Sequence, residues 1–152
     1  MTGRQAARWL AIDPGDKRIG VAAGSMPEGL AGPVDVVDAK PFDKAVARII
    51  QLAAEYGAQG IVVGWPLNMD DTEGPQALDA RKLAQTIAWA CDLDVRLWDE
   101  RLSSFTADQA LKGTLTRQKR RARQDALAAA AILQDFFARN GAATAERIAK
   151  PG

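Results

Sequence analysis

Acidic residues stand where three predicted elements begin or end, and carboxylates at such positions can act together as metal ligands. Asp13 ends one apolar run, and the pair Asp99 and Glu100 ends another. Asp125 opens an alanine-rich helical stretch. Carboxylates that converge from separate elements repel one another unless a cation neutralises them. Oxygen ligands of this kind suit Mg²⁺ or Mn²⁺, and a pair of such ions can hydrolyse a phosphodiester without histidine.

Asp125 falls on the side of its predicted helix that should face a sheet. Apolar residues follow it at helical spacing, namely Ala128, Ala129, Ile132, Leu133 and Phe136. The small side chains at 126–131 would let this helix approach a sheet closely. The helix dipole alone also favours an acidic residue in a first turn, so the spacing leaves both interpretations of Asp125 open.

Basic residues accompany the carboxylates at two places. The connector after Asp13 contains Gly15, Lys17 and Arg18, which suit a loop that approaches a phosphate, although such residues are also ordinary turn chemistry. Five cations lie within residues 117–123, namely Arg117, Lys119, Arg120, Arg121 and Arg123. A charge cluster is commonly a solvated surface, but its position just before Asp125 favours contact with phosphate.

Composition narrows the chemistry that this chain can perform. It has no histidine in 152 residues, which excludes Ser-His-Asp and Cys-His catalysis and every histidine-bearing zinc site. Cys91 is the only cysteine, so neither an internal disulfide nor a cysteine-built metal site can form, and we expect a cytoplasmic location. No membrane span or signal peptide is expected. The net charge of +1 means that binding to nucleic acid would need a local basic patch.

The elements that must position these residues follow one another as a hairpin and then β-loop-α units. The predicted strands lie at 9–12, 19–23, 34–37, 60–64 and 94–98, and the predicted helices at 42–56, 75–90, 107–112 and 124–139. The glycine- and proline-rich segment 24–33 is predicted as a turn region. We expect one domain over residues 1–140 and a flexible tail over 141–152. The order favours a mixed, five-stranded α/β sheet flanked by helices on both faces.

Four segments resemble one known family and occur in the family's order. They are Ile-Asp-Pro-Gly-Asp-Lys-Arg-Ile-Gly-Val-Ala, Val-Val-Gly-Trp-Pro-Leu-Asn-Met-Asp, Asp-Glu-Arg-Leu-Ser-Ser and Asp-Ala-Leu-Ala-Ala-Ala-Ala-Ile-Leu-Gln. Over residues 8–139 the chain resembles the YqgF, or RuvX, family of Holliday-junction-resolvase-like nucleases. The resemblance implies a ribonuclease-H-like fold and a metal-dependent nuclease, assigned in bacteria to processing of pre-16S ribosomal RNA in ribosome biogenesis.

The resemblance also implies roles for individual residues. It places Asp13, Glu100 and Asp125 at the family's catalytic, metal-binding positions. Asp99 is the alternative to Glu100, and neighbours on a strand point to opposite faces, so the two cannot serve equally. We choose Glu100 because related resolvases use a glutamate at that strand end. The expected substrate-binding residues are Lys17, Arg18, Asn68, Arg101, Arg117, Arg120 and Arg121.

The expected cofactor is Mg²⁺ or Mn²⁺, and the expected partner is nucleic acid, with pre-ribosomal RNA favoured and branched DNA as the alternative. A monomer and a homodimer remain open, and no membrane partner is expected. Three residues depart from the family pattern: Asp16 replaces a usual Thr or Ser, Trp65 a usual Leu, and Asp71 a usual Gly. Asp16 adds negative charge where phosphate is expected, and Trp65 either packs or stacks on an unpaired base.

Two other classes of protein fit parts of the pattern. Sugar kinases and actin-like ATPases carry a similar Asp-x-Gly hairpin, but they enclose a nucleotide between two such domains. A catalytically inactive RNA-binding module would use the basic run alone. Metal titration with a structured RNA separates the classes, since cleavage, binding alone and nucleotide binding are distinct outcomes.

Overall fold

The computed structural model describes residues 7–102 and 117–150, with the backbone alone described at 102 and 117–123. The strands are β1 (Ala7–Asp13), β2 (Arg18–Met26), β3 (Leu30–Asp38), β4 (Gly60–Trp65), β5 (Asp94–Asp99) and β6 (Glu146–Arg147). The helices are α1 (Phe42–Glu55), α2 (Pro75–Ala90), α3 (Arg117–Ala138) and α4 (Gly141–Thr144), and a 3₁₀ turn, Glu100–Leu102, follows β5.

The strands form one mixed sheet in the order β3-β2-β1-β4-β5-β6. β1, β2 and β3 are antiparallel neighbours, β1, β4 and β5 are parallel, and β6 pairs antiparallel with β5. Because β1, β4 and β5 run in the same direction, their carboxyl ends meet at one edge of the sheet. Side chains at the ends of β1 and β5 are therefore brought together, as the sequence pattern requires.

Each face of the sheet is covered by helix, which confirms the predicted α/β architecture. Leu10 and Ile12 point to the face covered by α1 and α2, whereas Trp9 points to the face covered by α3. On the α3 side the Phe136 ring lies 4.8 Å from the Trp9 ring and 5.5 Å from the Trp98 ring, centroid to centroid. Full burial of a side chain such as Phe136 is worth roughly 1.5–3 kcal/mol, so this aromatic cluster fixes α3 firmly on the sheet.

The prediction of a turn region at 24–33 is wrong. β2 continues to Met26 and β3 begins at Leu30, so only a short turn separates them. Glycine and proline are tolerated here because β3 is an edge strand, where Pro33 loses no hydrogen bond within the sheet interior. A register irregularity between Val21 and Ala22 lies opposite this segment.

Two further differences concern the C-terminal third of the chain. α3 begins at Arg117 rather than at about residue 124, so the basic run occupies its first two turns; Arg, Gln and Lys are good helix formers even where no apolar periodicity reveals them. The sheet has six strands rather than five because β6 adds to β5.

The C-terminal segment, predicted as a flexible tail, is packed as far as residue 150. Ile148 is buried, and the Lys150 ammonium donates hydrogen bonds to the carbonyl oxygens of Ala88, Cys91 and Leu93. The predicted helix at 107–112 lies outside the described residues. Within the ranges that are described, no helix is long and apolar enough to cross a membrane.

Candidate active site

Asp13 lies at the carboxyl end of β1, between two glycines on the neighbouring strands. In the antiparallel register Asp13 is opposite Gly20 of β2. Gly64 of β4 is one residue beyond the Ile12–Val63 pair of the parallel register. Asp13 shares the parity of Trp9 and therefore points to the α3 side of the sheet.

Glu100 reaches Asp13 by crossing β4 at Gly64. The Glu100 carboxyl group is in hydrogen-bonding contact with the carboxyl group of Asp13. A Cβ atom at Gly64 would stand 2.8 Å from Cδ1 of Ile132 and 3.0 Å from both Cγ and Cδ of Glu100, so any other residue would force these side chains to shift. Glycine within a strand often marks such a close approach, and this was the signal in the sequence that could have found the role of Gly64.

Asp125 is held beside Asp13 by the close approach of α3 to β2. A Cβ atom at Gly20 would lie 1.9 Å from the backbone oxygen of Asp125, so the helix rests directly on the glycine. Asp125 lies in the third turn of α3, and the first-turn interpretation of this residue is therefore wrong. Its negative charge contributes to raising the pKa of Asp13.

Burial raises the pKa of both carboxyl groups, whereas the contact between them raises the pKa of Glu100 and lowers that of Asp13. Burial is the main cause for Glu100, followed by the charge of Asp13, and together they raise its pKa to about 8. Burial likewise raises the pKa of Asp13 above its ordinary value. When Glu100 is protonated, its carboxyl O–H can donate a hydrogen bond to the Asp13 carboxylate. The two groups can therefore stay in contact without a cation.

Arg18 neutralises the third carboxylate. Its Nε donates a hydrogen bond to Oδ2 of Asp125 at 2.7 Å, and both side chains are about one-third exposed. This places Arg18, an expected phosphate ligand, inside the carboxylate site. Among the residues that the structure describes, no group of three acidic, cysteine or histidine side chains is close enough to hold a metal ion.

Asp99 and Glu100 have different partners, and they belong to different elements because β5 ends at Asp99 and the 3₁₀ turn begins at Glu100. Asp99 accepts hydrogen bonds from Nε of Arg101 at 3.0 Å and from Nη2 of Arg101 at 2.7 Å, and these hold the pKa of Asp99 below its usual range. Arg101 also donates to the backbone oxygen of Asn68 and to Oδ1 of Asp71, both at 2.7 Å. Arg101 thus ties the loop after β4 to the end of β5, and the amide group of Asn68 bonds to Thr72 within that loop.

Two of the departures from the family pattern are explained by packing. Asp71 has a φ of 70°, in the left-handed region that favours glycine, and its ion pair with Arg101 accompanies this conformation. Trp65 donates its ring N–H to Glu73 at 2.8 Å, and the guanidinium of Arg81 lies 5.1 Å from the ring centroid. Trp65 is therefore engaged in packing, the first of its two expected roles.

The remaining expected substrate contacts lie around this edge. Lys17 is in the β1–β2 loop with an exposed side chain, and its backbone oxygen accepts a hydrogen bond from Ala39 at 2.9 Å. Arg117, Arg120 and Arg121 belong to the first turns of α3, and their side chains lie outside the described residues. Asp16 lines a cavity next to Glu100.

The raised pKa values predict how stability depends on pH in the metal-free protein. Glu100 keeps its proton to about pH 8 when folded but releases it near pH 4.5 when unfolded, so the folded state binds more protons between these values. The contribution of protonated Glu100 to the free energy of unfolding is complete below about pH 4.5 and is lost as pH rises through about 8. We expect urea midpoints, measured in a chelating buffer, to fall from pH 5 to pH 9.

Glu100→Gln should flatten this dependence because the neutral amide has no proton to lose. Glu28→Gln, at an exposed glutamate in the β2–β3 turn, is the matched control and should retain the parental slope. Parallel curves for the parent and Glu100→Gln would contradict the shared-proton description of the pair.

Solved structures show the class of fold to which this arrangement belongs. T. thermophilus RuvC in complex with a Holliday junction substrate aligns with 93% of this chain and 99% of its own, with a TM-score of 0.56 and 18% identity. A second structure of Thermus thermophilus RuvC aligns with a TM-score of 0.52 and 19% identity. The fold is therefore ribonuclease-H-like, with carboxylates gathered at the edge of a mixed sheet.

Sequence comparison identifies the family. The model of the RuvX family, described as Holliday junction resolvase, matches residues 7–139, and the chain belongs to this family. A relative from Pelotomaculum thermopropionicum is 41% identical over 136 residues, covering 88% of each chain. One from Chloroflexus aurantiacus is 40% identical over 129 residues, covering 84% of each chain. Both are named "Putative pre-16S rRNA nuclease".

Proposed function

We propose that this chain is a metal-dependent nuclease that hydrolyses phosphodiester bonds in structured nucleic acid. The observation that carries the proposal is the contact between the carboxyl groups of Asp13 and Glu100 at the edge of the sheet. A half-buried pair of carboxyl groups with raised pKa values is poorly matched to a purely structural role, because its charged form is destabilised in the folded protein. A bound cation would remove that cost.

The three carboxylates are donors of the chemical kind that suits a hard, oxygen-binding divalent cation, and they must come closer together than in this structure to hold it. Asp13, Glu100 and Asp125 would hold it, and Asp125 would become available once Arg18 moves from its carboxylate to a substrate phosphate. When bound, Mg²⁺ or Mn²⁺ activates water and neutralises charge on the leaving oxygen. Arg18 can bind either the Asp125 carboxylate or a substrate phosphate, since a guanidinium binds both groups with the same geometry.

We infer that the substrate is pre-16S ribosomal RNA, processed near its 5′ end during ribosome biogenesis in the cytoplasm. The names of the relatives support this choice. The first two turns of α3 contain the basic run and lead directly to Asp125, so a phosphate backbone that follows the helix would arrive at the carboxylates.

A Holliday-junction DNA resolvase is the second candidate function. It is favoured by the description of the matching family and by the RuvC complex with a Holliday junction substrate. The carboxylates cannot separate the candidates, because the same chemistry cleaves RNA and DNA phosphodiesters.

The deciding experiment compares cleavage of a precursor RNA fragment with cleavage of a four-way DNA junction. We expect Mg²⁺- or Mn²⁺-dependent cuts in the precursor RNA, no cuts in a chelating buffer, and slower or no cleavage of the junction. Mature RNA of the same length serves as the matched substrate. Cleavage of the junction alone would establish the second candidate. Salt-sensitive binding of RNA without cleavage of either substrate would favour the inactive RNA-binding module.

A further inference from the structure

A cavity of about 650 Å³ opens beside the carboxylate pair and shares Glu100 as one of its walls. Its other walls come from the β1–β2 loop, the start of α1 and one side of α2. Small-molecule sites commonly measure about 300–1,000 Å³, so the space suits a ligand of nucleotide size.

The aromatic side chain that lines the cavity is that of Phe42. Phe42, at the first position of α1, is 38% exposed although it is a large apolar residue. The Lys82 ammonium lies 5.4 Å from the centroid of its ring. Pro14 and Leu83 add further apolar wall. The ammonium lies over the ring, so an aromatic surface and a cation stand together, as suits a ligand that joins a flat aromatic ring to a phosphate.

The polar groups of the cavity are of the kinds that nucleotides require. Lys40 and Lys82 line it, and neither forms an ion pair with any residue that the structure describes. Gln76 and Asp79 also line it, and they provide an amide and a carboxylate for the edge of a base. Ammonium groups bind phosphate, while amide and carboxylate groups read hydrogen-bond donors and acceptors.

The cavity and the basic start of α3 lie on opposite sides of the carboxylates. Asp125 approaches from the α3 side, whereas the cavity is on the side of α1 and α2. A strand whose phosphates follow α3 would therefore cross the edge of the sheet at Asp13. The next base along that strand would face the cavity.

We propose that this cavity receives one unstacked base of the substrate strand, next to the phosphate that is cleaved, with Phe42 as its stacking surface. The proposal rests on the proposed nuclease function. Extruding a base is least costly where the base is already unpaired. The cavity therefore directs cleavage to positions beside an unpaired nucleotide, such as the boundary between a single-stranded leader and a helix.

The first test measures binding without cleavage, in the full chain and without metal. Adenosine 5′-monophosphate and ribose 5-phosphate are titrated separately and followed by NMR shifts of Gly15, Phe42 and Lys82. We expect the nucleotide to saturate these shifts and ribose 5-phosphate to bind at least about tenfold more weakly, since only the nucleotide can stack. Equal binding of the two probes would overturn the proposal.

Variants of Phe42 provide the matched comparison. Phe42→Leu keeps an apolar side chain but cannot stack, and we expect about tenfold weaker binding of adenosine 5′-monophosphate, whereas Phe42→Trp should retain parental binding. Tyr56→Ala removes the exposed aromatic residue just after the other end of α1 and should change nothing. Thermal unfolding verifies that each variant is folded. An effect of Tyr56→Ala equal to that of Phe42→Leu would contradict the proposal.

A second test distinguishes a base in a strand from a free nucleotide. A short unpaired RNA should displace adenosine 5′-monophosphate, and the same RNA with one abasic position should do so at least about tenfold less well. Failure of the intact RNA to compete would reject the strand as the source of the base. These readouts are independent of cleavage, so an inactive protein that passes them refutes the nuclease function alone, and an active nuclease that fails them refutes the cavity alone.

Discussion

Asp13→Asn is expected to lower the single-turnover cleavage rate by about 10³-fold or more while leaving RNA affinity within a few-fold of the parent. The Asp13 carboxylate contributes most where charge develops in the transition state, and about 10³-fold corresponds to roughly 4 kcal/mol. Ground-state binding loses nothing when a negative charge near phosphate is removed. The fold should also tolerate the change, because the neutral Asn side chain avoids both the burial of a charge and the repulsion from Asp125 that raise the pKa of Asp13.

The measurements are single-turnover cleavage, filter binding of the same RNA, and thermal unfolding. Asp92→Asn makes the same chemical change at an exposed position between α2 and β5, at the opposite end of the sheet, and should leave all three unchanged. If Asp13→Asn cleaves at the parental rate, Asp13 is a turn residue and the nuclease proposal loses its central ligand.

Gly20→Ala is expected to be the most destabilising methyl addition at the site. The new Cβ would lie 1.9 Å from the backbone oxygen of Asp125 and 2.4 Å from its carbonyl carbon, so α3 must move by about 1 Å. Overpacking against backbone costs about 3 kcal/mol, which lowers the melting temperature of a chain of this size by roughly 6–12 °C. Displacing a ligand by about 1 Å should also reduce cleavage about 10²-fold below the melting temperature.

Gly32→Ala is the control because a Cβ at Gly32 meets nothing within 4 Å. Gly20 lies in β2 and Gly32 in β3, which pair antiparallel. Replacement by alanine should therefore restrict the backbone of the unfolded chain to a similar degree in the two variants. Equal stability of Gly20→Ala and Gly32→Ala would show that α3 does not rest on β2 as described. Retained cleavage in a destabilised Gly20→Ala would separate the packing role of Gly20 from the position of Asp125.

The sequence by itself determined the order of the elements from β1 to β5 and the acidic residues at the ends of β1 and β5. Apolar runs ending at Asp13 and at Asp99–Glu100 had to become parallel strand ends, since the chain between them supplies helices long enough for crossovers. The bounds of α1 and α2 follow from helical periodicity and were predicted closely. Prediction failed at 24–33 and at the start of α3, where edge-strand pairing and intrinsic helix propensity acted without an apolar pattern.

Only the tertiary structure decided how the acidic residues meet. Spacing along the chain does not reveal that Glu100 crosses β4 at Gly64, or that α3 rests on Gly20, because each contact joins two elements that are distant in sequence. The same is true of Arg18 binding Asp125 and of Arg101 bracing the loop after β4. Another element can pack closely against a glycine because glycine has no side chain. The hydrophobic pattern of the sequence does not show which glycines are used in this way, since that depends on the element that packs against them in the fold.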